Sequence, residues 1–332
     1  MVTGIILYVL LASLPMSRET EDGVYHLTSH LIQPVLIFTM LTLAFLKVSI
    51  HELLPQRWHF KVLMWQALLF LFFSLLAIAT DLSNTSLPSG GLGGGIKLLF
   101  EGAMLCFICP TATASAVIVG KLGGSVSGCV SYLILCNIMV SVLAPCFLPL
   151  VEPHQGLDFL NSFFLIMGKV FPLLIFPLIL SQLLRHYASA LTQRLLSIPD
   201  MAFYMWLVAL ALAIMVTVRT IVEANIGMTT LIGLAVVSLV CCVVQFILGR
   251  RIGRSTALNG LSCRAEKALS PEASEQAEIN AITAGQAMGQ KNTVFVIWMG
   301  LVFLNPVTSV VGGFYSVWHN VINSWQLYKK RD

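Results

Sequence analysis

The chain of 332 residues is 57% hydrophobic and 10% charged, with a mean hydropathy of +0.87. Soluble domains carry about 25% charged residues, so a soluble enzyme is excluded. Nineteen Lys and Arg against fifteen Asp and Glu give +4, too little and too scattered for a nucleic-acid binder.

A helix needs about 20 apolar residues to cross a bilayer, and the sequence predicts ten such spans. In chain order they are 2–16, 32–50, 59–79, 96–119, 126–150, 160–183, 201–218, 226–249, 276–304 and 307–327. The first is short enough for a signal peptide, but Arg18, the first basic residue, follows the apolar run instead of preceding it. Between the third and fourth spans, Ser89 to Lys97 reads Ser-Gly-Gly-Leu-Gly-Gly-Gly-Ile-Lys. It lacks the Gly-Lys-Ser/Thr ending of a phosphate loop and follows no strand, so it is read as a flexible external loop. The longest connection, about 250–275, carries no recognisable domain. Cys106, Cys109, Cys129, Cys136, Cys146, Cys241 and Cys242 lie in apolar runs and only Cys263 in a polar one. That placement fits small buried hydrophobes, with no disulfide framework and no metal spacing.

Basic residues set the orientation. The loops on the N-terminal side hold Lys47, Arg57, Lys61, Lys121, Arg185, Arg194, Arg250, Arg251, Arg254, Arg264, Lys267, Lys329, Lys330 and Arg331. The opposite loops hold Arg18, Lys97 and Arg219, while Lys169 and Lys291 fall inside spans. The positive-inside rule then predicts a multi-pass protein of the cytoplasmic membrane with both termini cytoplasmic.

Two spans are interrupted. The fourth contains Cys109-Pro110-Thr111-Ala112-Thr113-Ala114-Ser115, where proline removes a backbone donor and hydroxyl residues can re-satisfy freed groups. The ninth reads Thr283-Ala284-Gly285-Gln286-Ala287-Met288-Gly289-Gln290-Lys291-Asn292-Thr293, too polar for a lipid-facing helix. A bundle contact of small residues leaves those mid-span amide, hydroxyl and ammonium groups unexplained. The two interrupted spans occupy matching positions in two five-span halves, and an odd count per half sets the halves in opposite orientations. Paired discontinuous helices in inverted repeats point to a transporter's midplane site. Their half-helix N-termini present free N–H groups to an anion.

Several segments resemble the bile acid:sodium symporter family, carriers of organic anions with ten helices in two inverted five-helix repeats. Phe38-Thr39-Met40 through Phe60 to Gln66 resembles the family's second and third helices. Cys109-Pro110 with Thr113-Ala114-Ser115 resembles its C-P-G-G-T-A-S-N crossing segment. Gly289-Gln290-Lys291-Asn292 stands where the family has E-x-G-x-Q-N, and Tyr315-Ser316-Val317-Trp318-His319-Asn320 closely matches its last helix. The resemblance implies an all-α fold whose discontinuous fourth and ninth helices cross at the midplane. It also implies a panel domain (about 1–58 and 151–225) and a core domain (about 59–150 and 226–332).

Departures from the family are informative. Gln66 and Ser115 fit its sodium site, but Ala116 replaces the Asn of T-A-S-N. With Asn292 as anchor, Lys291 replaces a Gln and Ala287 replaces the Glu; a register shift offers only the uncharged Gln286. Thr111 and Ala112 replace the two glycines after the proline, and Ser127 and Ser131, four apart, are candidates for the fifth-helix hydroxyls. The cation-site region is therefore Gln66, Ser127, Ser131, Gln286, Gln290 and Lys291, with Lys291 in the cation's place. Candidates for contacting substrate are Thr111, Thr113, Ser115, Asn292, Thr293, His319 and Asn320.

Glu101, inside the fourth span, is expected either to serve function or to pair with the helix dipole or Lys169. Lys169, near Pro172 and Pro177, is expected to pair or snorkel. The expected function is transport of an organic anion (bile-acid-like, pantoate-like or another carboxylate or sulfate) by alternating access, without sodium and without cofactor. Its partners are that anion and the bilayer, not nucleic acid. The alternatives are a sodium-coupled anion symporter and a non-transporting receptor or sensor. A membrane enzyme is disfavoured, because the seven histidines form no ligand spacing.

Overall fold

The computed structural model describes residues 2–48, 54–84, 92–153, 156–198, 201–224, 226–259 and 271–330. Cys263, His51, His154 and the stretch Ser89–Gly91 lie outside the described residues. Among the described residues the chain is helical, without a strand. The helices are α1 (Val2–Ser13), α2 (Arg18–Leu27), α3 (Gln33–Leu46), α4 (Arg57–Asn84), α5 (Leu92–Ile108), α6 (Ser115–Leu122) and α7 (Val126–Val151). There follow α8 (Phe159–Tyr187), α9 (Ser189–Ser197), α10 (Met201–Glu223), α11 (Met228–Asn259), α12 (Pro271–Gly289), α13 (Thr293–Phe303) and α14 (Val310–Lys329).

Six units are long and apolar enough to cross a membrane: α2 with α3, α4, α7, α8, α10 and α11. Large apolar side chains such as Phe60, Trp65, Phe72, Phe164, Phe176 and Val236 face outward from them, as a lipid environment requires. The protein is a multi-pass, all-α membrane protein. The other four predicted spans fall short for visible reasons. Helix α1 has only 12 residues, the fourth and ninth spans are broken, and α14 carries His319, Asn320 and Asn323.

Two expectations need correcting. Arg18–Leu27, read as a loop because of its charges, is helix α2. Ser17 caps it by accepting from the Thr20 amide, and Glu19 and Glu21 sit in its first turn, where acids favour a helix start. A π-helical turn, Thr28–Ile32, then joins α2 to α3 just before Pro34, whose missing N–H breaks the regular ladder. The second half of the predicted external loop, from Leu92, belongs to α5. Lys97 is therefore a helix residue, 3.1 Å from Asp81 and 3.0 Å from Glu152.

Helices α11 and α12 touch most closely. Gly249 and Gly253 are one turn apart on α11, and a methyl group at either would overlap the Ala284 or Asn280 carbonyl of α12. Small residues in this spacing let helix backbones approach. Around the pair, α4, α5, α7 and α13 complete a continuous buried core. Elsewhere α3 packs on α8 and α10, and α1 on α10. Arg219 of α10 pairs with Asp22 and Glu223 and lies 4.0 Å from the centre of the Tyr25 ring, locking α2 to α10.

Candidate functional site

Both interrupted spans break in the structure, and the breaks meet. Residues 109–114 separate α5 from α6, and residues 290–292 separate α12 from α13. Thr111 and Lys291 face each other as an antiparallel bridge. The Ala112 amide donates to Gln290 O, and the Asn292 amide donates to Pro110 O, each at 2.9 Å. Two short extended segments thus satisfy each other's backbone where neither helix can.

Four carbonyls at the two breaks are capped by side chains. Pro110 has no N–H, so Cys106 O loses its helical donor; the Gln245 amide of α11 replaces it at 3.2 Å. Gln66 of α4 donates to Cys109 O at 3.3 Å. On the other break, the Tyr315 hydroxyl donates to Gly289 O at 2.8 Å and the Thr111 hydroxyl to Ala287 O at 2.6 Å. Buried carbonyls left bare in an apolar setting cost several kcal/mol each, roughly, so these residues make the breaks possible.

The caps come in matching pairs. Tyr132 of α7 donates to Gln66 Oε1 at 2.6 Å, while Gln245 Nε2 donates to the Tyr315 hydroxyl of α14 at 3.1 Å. Gln245 follows Gln66 by 179 residues, Lys291 follows Thr111 by 180, and Tyr315 follows Tyr132 by 183. Each tyrosine is followed five positions later by an asparagine, Asn137 or Asn320.

Lys291 is the anomaly of the site. Its side chain is 1% exposed, and its ammonium has no hydrogen-bond partner. The groups that act on it most strongly are the neighbouring thiols of Cys136, Cys109, Cys106 and Cys242, and among the described residues no carboxylate forms a salt bridge with it. A Lys at a span centre costs roughly 2.5–3.5 kcal/mol on insertion scales. Among the described residues no cluster of His, Cys, Asp or Glu could hold a metal.

No family model matches the chain, and no curated protein matches it either.

The structure brings Thr111, Ser115, Asn292, Thr293, Gln66, Gln290 and Lys291 together around the crossing, all buried. Most of their polar atoms are engaged internally. Ser115 donates to Ala112 O at 2.7 Å and lies 3.2 Å from the Cys129 sulfur. Asn292 Oδ1 caps α13 by accepting from the Phe295 amide. Thr113 stands half-buried before α6, whose N-cap, Ala114, has no side-chain capping bond. His319 is buried against the Tyr315 ring with Nδ1 unpartnered, and Asn320 donates to Ser316 O.

Other candidates lie apart. Gln290 donates to Gln286 and Gln286 to Gln326, a chain that runs from the crossing to α14. Ser127 and Ser131 hydrogen-bond within the start of α7, Ser131 to Ser127 O at 2.9 Å. Glu101 does not pair with Lys169: it accepts from Thr308 at 2.9 Å and lies 3.8 Å from Lys97. Sequence reasoning missed Gln245 and Tyr132. The repeated Gln and Tyr-x4-Asn spacing was the signal that marks them.

Proposed function

We propose that the chain is a secondary transporter of organic anions that works by alternating access without sodium, with the Lys291 ammonium in the place of a bound cation. The observation that carries this reading is the pair of broken helices bridged through Thr111 and Lys291, with the ammonium buried and unpartnered. The near-constant offset of the Gln, bridge and Tyr positions along the chain supports two five-span repeats, while the hydrogen bonds themselves differ between the halves, Gln66 and Gln245 both capping the first break. The offset supports the ten-span arrangement and the resemblance to the bile acid:sodium symporter family, and the Lys and Arg bias of the loops supports cytoplasmic termini. The panel would comprise α1, α2, α3, α8, α9 and α10, and the core the remaining helices. A sodium ion needs several oxygen ligands with net negative charge, and among the described residues no acid pairs with the crossing segments, where an ammonium stands instead.

The test is uptake of labelled organic anions into proteoliposomes, in sodium buffer and in sodium-free choline buffer, for wild type and Lys291→Gln. Equal wild-type uptake in both buffers, lost in Lys291→Gln, is the expected result. Uptake that requires sodium defeats the fixed-cation reading. Binding without flux turns the protein into a receptor or sensor.

A further inference from the structure

A cavity of about 770 Å3 opens between α6, α11, α12 and the last turns of α14. None of its walls comes from α1–α3 or α8–α10, so it lies within the proposed core, away from the boundary with the proposed panel. No residue read from the sequence as a substrate or cation ligand lines it. Its volume is that of an ordinary small-molecule site.

The lining changes character along the cavity. Phe246 and Ile247 of α11, Ile282 of α12 and Ile322 of α14 are apolar, whereas Arg250, Glu278, Lys329 and Lys330 are charged. The charges share one end. Helix α12 runs antiparallel to α11, since Gly249 meets Ala284 and Gly253 meets Asn280. It also runs antiparallel to α14, since Gly289 meets Tyr315 and Gln286 meets Gln326. Arg250 follows Ile247, Glu278 precedes Ile282 by a turn, and Lys329 and Lys330 follow Ile322 by about two turns, each toward that end.

Glu278 is already engaged: it accepts from Arg250 at 2.5 Å and lies 3.6 Å from Arg254. Lys329 and Lys330 have no carboxylate partner among the described residues. Lys330 donates to Lys121 O, in the last turn of α6, at 2.9 Å, and Lys329 stands 5.7 Å from the centre of the Trp325 ring. Two ammonium groups are therefore uncompensated at one end of an apolar cavity. Beside it, Val240 and Val244, on the same face of α11 as Ile247, are exposed, as are Val321 and Trp325 of α14. A soluble phosphate ester would satisfy the ammonium groups and leave this apolar flank bare, whereas a phospholipid covers both. Tryptophan beside the charged end suits the headgroup level of a bilayer, and basic pockets between spans hold anionic headgroups.

We propose that this cavity is a binding site for an anionic phospholipid, its phosphate on the Lys329 and Lys330 ammonium groups and an acyl chain along Phe246, Ile247, Ile282 and Ile322. The leaflet alone rests on the orientation proposed above, which puts the headgroup on the cytoplasmic side, where anionic lipids concentrate.

The probes are phosphatidylglycerol and phosphatidylcholine with the same palmitoyl and oleoyl chains, added to the full chain in detergent and counted by native mass spectrometry. Wild type is expected to bind one phosphatidylglycerol saturably, and phosphatidylcholine far more weakly. Each ammonium near an anionic headgroup contributes about fivefold to binding, so Lys329→Gln combined with Lys330→Gln should weaken it about twentyfold to thirtyfold. Ile247→Trp keeps every charge and fills the cavity, and should abolish the saturable binding. All three side chains are exposed, so the changes leave the packed core intact. The proposal falls if phosphatidylcholine binds as tightly as phosphatidylglycerol, or if the double variant binds phosphatidylglycerol as wild type does. It falls too if Ile247→Trp binds as wild type does, which reduces the interaction to surface charge, or if millimolar glycerol 3-phosphate displaces the lipid, which makes the site one for soluble anions. A micelle has no leaflets and no gradient, so the result is independent of the proposed orientation and of transport.

Discussion

The side-chain amide of Gln245 donates to the carbonyl of Cys106 at 3.2 Å, the oxygen that Pro110, four residues on, leaves without a helical donor. A break in one span is thereby held by a residue of another, 139 positions away. The two residues should be thermodynamically coupled. Gln245→Leu leaves the carbonyl and the Tyr315 hydroxyl short of a partner and is expected to destabilise by about 1–3 kcal/mol. Pro110→Ala restores the missing N–H, so adding it to Gln245→Leu should recover part of that loss. Thermal unfolding of the four proteins in one detergent measures the coupling, and strictly additive losses would show that Gln245 does not replace the proline's donor.

Helix α11 offers a second test, of packing. Gly253→Ala places a methyl group on the Asn280 carbonyl of α12, where backbone and not a flexible side chain stands in the way. Overpacking of this kind costs about 1–3 kcal/mol. The same substitution at Gly168, whose surroundings are open, should be neutral or stabilising, because alanine favours the helix. Unfolding midpoints of the two variants that shift equally would contradict the close approach.

Much of this architecture was legible in the sequence. Long apolar runs gave α4, α7, α8, α10 and α11, and Pro110 and the Gln290–Asn292 polar run marked the two breaks. What stayed hidden was local or long-range. Helix α2 escaped because Arg18, Glu19, Glu21 and Asp22 read as loop, although Ser17 and the acids in the first turn are a helix start. Thr111 and Asn292, expected as substrate contacts, have structural partners that no local spacing announces. In the fold Thr111 holds a helix end and Asn292 caps the next helix. Of the partners of Glu101, Thr308 lies 207 residues away and Lys97 four residues earlier on the same helix, and charge arithmetic alone cannot choose between Lys97 and Lys169.

Orientation follows from charge and can be read directly. Gly90→Cys and Gly260→Cys, in a background where Cys263 is replaced by Ser, place single reporters in the two connections that the positive-inside rule assigns to opposite sides. The other seven cysteines lie in the helical body, six of them buried. An impermeant maleimide added to intact cells should label residue 90 at once and residue 260 only after permeabilisation. Equal labelling of both from outside would overturn the ten-span arrangement.

Lys291 gives the last prediction, in which stability and function part company. An ammonium that is 1% exposed and unpartnered is a cost to the fold, not a support. Even a paired buried ion set can often be replaced by apolar residues of similar volume at no loss or with a gain of about 1–4 kcal/mol, and an unpaired ammonium has no partner to lose. Lys291→Met keeps the length of the stem, leaves the backbone bridge to Thr111 untouched and removes the charge. It should therefore unfold at the same or a higher temperature than wild type while anion uptake falls to the level of empty vesicles. Lys291→Arg keeps the charge but brings a planar fork too broad for a point-charge site, and should lose both stability and uptake. A Lys291→Met carrier that still transports would show that the ammonium has no part in the cycle. A marked fall in its unfolding temperature would show that the charge is paired in the membrane after all.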